Sequence, residues 1–177
     1  MFETDLRLQC GRALRVYDSA PCDDARLPVV TLGVPTDTLY EAGEWLGIRW
    51  ISCDLPSTTA ADLAAVVDAA GVDGFALMGH GEGGALALRT AALLGDRVEA
   101  VVTFGCTLPA EFILIAIQTT PVLLCHGLAD RISPATNSRW LAGRLALPTL
   151  DLHLGLDHTT ILTQSEPALE WIRDHTG

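Results

Sequence analysis

Between residues 75 and 88 the chain reads FALMGHGEGGALAL. An apolar run carries the backbone into a glycine-rich turn, and an Ala/Leu helix opens directly from that turn. A helix that starts this way presents unpaired N–H groups to any negative charge beside it. Other groups capable of chemistry stand where further apolar runs end: Val34 after LPVVTLG, Asp54 after IRWISC, Cys106 after VEAVVTFG, Asp130 after PVLLCHG and His158 after TLDLHLG. They offer backbone donors, carboxylates, a thiol and an imidazole, and histidine is the commonest general base near neutral pH. Lysine is absent, since all eleven basic residues are arginine, so Schiff-base chemistry is excluded.

These positions depend on the elements that hold them. Alternation in LRLQC and in ALRVYDS, with Gly11-Arg12 between, predicts an N-terminal β-hairpin. LPVVTLG and FALMG are short, continuously apolar runs, the signature of strands buried on both faces. Helices are expected at Thr36 to Leu46, at Thr59 to Ala70 with Thr58 or Thr59 as cap, and from Gly81–Gly84 to Leu94. RWLAGRLA and PALEWIRDH supply the last two. A hairpin followed by strands alternating with helices specifies an α/β fold, a doubly wound, mostly parallel sheet covered on both faces. Residues 1–177 read as one such domain, with no linker or repeat. Sites in open α/β sheets lie at the carboxyl ends of the strands, where the candidate groups stand.

Three stretches carry a resemblance to the α/β-hydrolase superfamily. LMGHGEGG resembles the nucleophile elbow, G-x-S-x-G, in which the serine attacks. LCHGLADRISP resembles the segment that supplies the triad acid, and GLDHTTIL the segment that supplies the triad histidine. The resemblance implies Asp130 as the acid, His158 as the histidine, and backbone N–H groups of Val34 and Glu82 as oxyanion donors. The gap from 130 to 158 suits one helix and one strand. The chain departs from the pattern at the elbow, where Gly81 stands in the serine's place. The segment in which the superfamily inserts a cap spans only Thr107 to Thr120, so the cap is absent and the site open.

Each candidate also has a plainer role. Gly79 and Gly83 suit a close crossing of strand and helix, and His80 can support the turn or line the substrate site. Glu82 suits the first turn of a helix, Asp130 a side-chain-closed turn, and Cys106 the core or the site wall. An Asp and a His at two matching strand ends nonetheless read best as a hydrogen-bonded pair. The resulting expectation is an enzyme acting on a small ester or lactone, with Asp130–His158 as general base and no serine. Lyase, isomerase or cyclase chemistry, a serine esterase whose nucleophile was exchanged for glycine, and a non-catalytic small-molecule binder stand as alternatives.

The net charge of −11 disfavours nucleic acid and anionic membranes as partners. Five cysteines without C-x-x-C spacing and five histidines without H-E-x-x-H give no metal or cofactor motif, and none is expected. The N-terminus MFETDLRLQCGR lacks the apolar core of a signal peptide, so the cytoplasm is the expected location. An uncovered site leaves apolar surface that a second copy would bury, which makes a homodimer an expectation.

Overall fold

The computed structural model describes residues 1–35, 39–55, 58–108 and 116–177. Its eight strands are β1 (Phe2–Arg7), β2 (Ala13–Asp18), β3 (Leu27–Leu32), β4 (Ile48–Cys53), β5 (Phe75–His80), β6 (Val98–Phe104), β7 (Val122–Gly127) and β8 (Pro148–His153). They form one sheet in the order β1-β2-β4-β3-β5-β6-β7-β8. The β1–β2 and β2–β4 pairs are antiparallel and all others parallel. The described helices are α1 (Tyr40–Leu46), α2 (Ala60–Ala69), α3 (Glu82–Leu94), α4 (Thr136–Ala142) and α5 (Ser165–His175).

The central strands are buried on both faces because successive side chains enter different cores. On β5, Phe75 and Leu77 join Leu63, Val66, Leu88 and Leu141 on the side of α2, α3 and α4. Ala76 and Met78 join Trp50, Phe104, Leu169 and Ile172 on the side of α1 and α5. Each Leu, Ile or Phe removed from water contributes about 1.5–3 kcal/mol, so the two layers hold the strand ends firmly. The connection from β6 to β7, residues 105–121, is too short for a cap domain.

The chain leaves β3 toward β4 on one side, then returns to place β5 on the other. This switch opens a crevice between the carboxyl ends of β3 and β5. Parallel register sets Leu32 against Gly79, and continuing it two residues brings Val34 level with Gly81.

Several boundaries differ from the sequence expectation. The hairpin forms, but β1 starts at Phe2 and LQC falls in the turn. Pairing from Phe2↔Asp18 to Arg7↔Ala13 leaves Leu8 to Arg12 to reverse the chain, with Gly11 at φ +85° and its N–H donating to the Leu8 carbonyl. The helix expected over RWLAGRLA lies earlier: it begins just after Pro134 and closes at Gly143, and Arg144 and Leu145 continue only as turn residues bonded to Leu141. α1 begins at Tyr40, and residues 36–38 of the expected helix lie outside the described residues, as do 56–57 after Asp54 and 109–115 after Cys106. α2 is capped by Thr59, whose hydroxyl accepts from the Asp62 N–H while the Asp62 carboxylate accepts from the Thr59 N–H. Among the described residues no helix is long and apolar enough to cross a membrane.

Candidate active site

The turn between β5 and α3 holds Gly81 at φ +56° and ψ −117°, a region close to glycine-only for L-residues. Its N–H donates to the Phe104 carbonyl at 2.9 Å, and its own carbonyl accepts from the Thr107 N–H at 3.2 Å. The flanking glycines are imposed by contact: a Cβ on Gly79 would strike the Gly83 backbone, and one on Gly83 the Leu32 carbonyl. The close strand–helix crossing read from the sequence is therefore the reason for both. No side chain caps α3, so the Glu82 N–H stands open at the helix start. Val34 is buried in the apolar layer of Met78 and Phe104.

The acid arrives on the loop after β7. The Asp130 Oδ1 accepts from the N–H groups of Ile132 and Ser133, each at 2.8 Å, so Asp130 closes its own turn as well as facing the site. Its Oδ2 accepts from His158 Nδ1 at 2.7 Å. Burial works to raise this carboxyl, but the Ser133 N–H, the His158 imidazole and the Ile132 N–H outweigh it, and the pKa lies below the ordinary value.

His158 enters on the loop after β8. That loop is pinned in front by the Ala129 N–H, which donates to the Leu156 carbonyl. Behind, Asp157 accepts from the N–H groups of Thr159 and Thr160. Asp157 is thereby spent on the following turn and does not orient the imidazole. A carboxylate can only accept, so Nδ1 of the His158 ring carries a proton, and in the neutral ring Nε2 keeps its lone pair. That nitrogen lies 3.3 Å from where a Cβ on residue 81 would stand. The His158 side chain is 16% exposed, enough for a small molecule to reach it.

The structure thus brings Gly81, Asp130, His158 and the start of α3 to one place. His80 lies beside the base: its Nε2 donates to the His158 carbonyl at 2.8 Å, and the two rings lie 4.5 Å apart. The expected place of Cys106 in the site wall is not what the fold gives its thiol. That thiol is fully buried in the core under α3, donates to the Thr107 carbonyl and is pushed by burial up to about 12. Only the Cys106 backbone serves the site, its carbonyl accepting from Ser133 Oγ at 2.8 Å and tying the acid loop to β6.

Two contributors, Gly105 and Gly127, escaped the sequence reading, and a third, His126, reads there only as a residue that packs or hydrogen-bonds locally beside the Asp130 turn. Gly105 sits beneath the pair at φ +53°, where a Cβ would lie 3.0 Å from both Asp130 Oδ2 and His158 Nδ1. Gly127 lets the Leu156 carbonyl cross β7 where a Cβ would collide with it. His126, fully buried, donates from Nε2 to the Ser133 carbonyl at 2.7 Å, and its Nδ1 lies 2.7 Å from Ser138 Oγ. The glycines left a trace in the sequence as turn residues at strand ends, and His126 makes the local hydrogen bonds its place before the Asp130 turn suggests.

A family model described as Phospholipase/Carboxylesterase matches residues 58–146, from the cap of α2 through the elbow and the acid loop to the end of α4. The chain belongs to that family of α/β hydrolases. Solved structures extend the likeness to the whole fold. Est1E from Butyrivibrio proteoclasticus superposes with a TM-score of 0.80 at 17% identity, over 98% of each chain. A predicted CIB-like hydrolase from Thermoplasma acidophilum gives 0.80 at 16%, over 98% of this chain and 96% of its own. Alpha/beta hydrolase domain-containing protein 10 from mouse gives 0.77 at 17%, over 98% and 99%. At such identities the likeness is one of fold. No curated protein matches the sequence.

Proposed function

We propose that this α/β hydrolase cleaves a small neutral ester or lactone with water as the nucleophile and His158 as general base. The observation that carries the reading is the Asp130–His158 pair, bonded at 2.7 Å, whose free Nε2 faces the bare backbone of Gly81. Without a hydroxyl at residue 81 no acyl-enzyme can form there. The same nitrogen can instead take a proton from water as the water oxygen bonds to the substrate carbonyl carbon. The carbonyl electron pair moves to oxygen, which the N–H groups of Glu82 and Val34 stabilise beside the positive end of α3. On collapse the bond to the leaving oxygen breaks, and the imidazolium returns its proton to that oxygen. Asp130 holds the ring in the required tautomer and stabilises it while charged.

Composition narrows the substrate. A net charge of −11 and a site without a basic cluster suit a neutral molecule better than an anion. The five cysteines are free, which fits a reducing cytoplasm. Ile132 and Leu154, 74% and 89% exposed near the acid and histidine loops, are the surface a second copy would cover in a homodimer.

The test is hydrolysis of a short activated aryl ester by the protein and by its His158→Ala variant. Turnover above the buffer rate that disappears in the variant supports the reading. Equal rates in the two proteins overturn it.

A further inference from the structure

We infer that His80 is a positioning residue: it fixes the peptide that carries the base, and through that peptide the aim of the imidazole. The inference rests on His158 being the base, and it concerns a histidine that touches neither substrate nor reacting atoms.

His80 is the last residue of β5, the strand whose end forms the elbow, and this end is pinned to β6 by the Gly81 N–H. Its Nε2 lies 2.8 Å from the His158 carbonyl, and a carbonyl can only accept, so Nε2 carries the proton. Burial pushes the His80 pKa down, while the His158 carbonyl opposes that shift. The ring is therefore neutral at neutral pH, with its single proton committed to this bond. The rings lie 4.5 Å apart at a tilt of 43°, so His80 also walls one side of the base. Among the described residues the same peptide is otherwise held from within its own loop, its Thr159 N–H donating to Asp157 Oδ1, while the Ala129 N–H holds the Leu156 carbonyl nearby. His80 alone, among the described residues, links that peptide directly to the elbow. It sets the span between Nε2 of His158 and Gly81 independently of Asp130, which fixes the opposite side of the ring. The base is held at its ring by one strand end and at its backbone by another.

The test reads the Nδ1–H of His158 by proton NMR in protein labelled with ¹⁵N-histidine, the resonance being assigned by its loss in His158→Ala. This signal does not depend on turnover, so it stands or falls separately from the proposed hydrolysis. His80→Phe keeps a ring and removes the donor; solvent exchange of the Nδ1 proton should quicken about tenfold, the equilibrium factor of one ordinary hydrogen bond. His80→Gln, whose amide can reach the same carbonyl, should restore exchange to near the parent rate. Should the phenyl ring fail to pack, His80→Asn, one methylene shorter than Gln, takes its place with the same expected quickening. Unchanged exchange in His80→Phe or His80→Asn overturns the inference. So does a folded His80→Gln protein that exchanges as fast as either.

Discussion

The two halves of the site are built in different ways. On the acid and histidine side, position is over-determined by side chains: Asp130 accepts three hydrogen bonds, and Ser133, His126 and Ser138 brace its loop from behind. On the elbow side, apart from the His80 bond to the His158 carbonyl, position is set by backbone, through a strained glycine, two glycines in close crossing and an uncapped helix start. A general base must be aimed to within a fraction of an ångström, whereas an oxyanion site needs only N–H groups at a helix end. The contrast suits the proposed hydrolysis by water: a rigid base facing an open floor.

The largest effects should come from the side-chain half. His158→Ala should lower turnover of a responsive ester by about 10²–10⁴, the usual worth of a positioned general base, with little change in thermal stability measured by calorimetry. Gly105→Ala tests the same half without replacing a titratable group. Its Cβ would sit 3.0 Å from both partners of the pair at a φ of +53°, so turnover should fall by a similar order and stability by about 1–3 kcal/mol. A fully active Gly105→Ala protein would mean that the pair tolerates displacement, and the contrast between the halves would fail.

On the backbone half, Gly81→Ser places a side chain in a conformation costing about 1–3 kcal/mol, with its Cβ 3.3 Å from His158 Nε2. Stability should drop by that amount in denaturant titration, while a stoichiometric acyl-enzyme becomes detectable with an activated ester. A serine variant with no adduct would show that the elbow no longer delivers a hydroxyl to the base.

The smallest effect is one of pH. The folded pKa of Asp130 lies below its ordinary value, so its contribution to stability is complete above the unfolded value of about 3.9 and is lost as pH falls through the lowered folded value. Asp130→Asn should therefore flatten the part of the acid-unfolding curve below about pH 4. An unchanged curve would place the acid sensitivity elsewhere.

The unequal construction also explains what the sequence disclosed. Strands β3 to β7 and helices α2 and α3 are legible because unbroken apolar runs and turn glycines mark them locally. Asp130 and His158 stand directly after such runs, so their meeting followed from topology. The bracing was hidden: Gly105 must be glycine because of Asp130 and His158, residues 25 and 53 positions away (130 − 105 and 158 − 105), and no local pattern records that contact. His80 looked like a turn residue because its partner is a carbonyl, which has no residue type. Cys106 stands just past a strand end, which suggested a site position, but its thiol packs in the core against Gly84 of α3. The starts of β1 and α4 were misplaced for a simpler reason, since cross-strand register and a proline-initiated turn overrode local alternation.

Catalysis by a base without a covalent nucleophile is checked by mixing the protein with an activated aryl ester and following both product release and intact mass. Product should form linearly without a burst, with no acyl adduct on the chain and with turnover lost in His158→Ala. A burst of product with a retained acyl group would contradict it, because another side chain would then be the nucleophile.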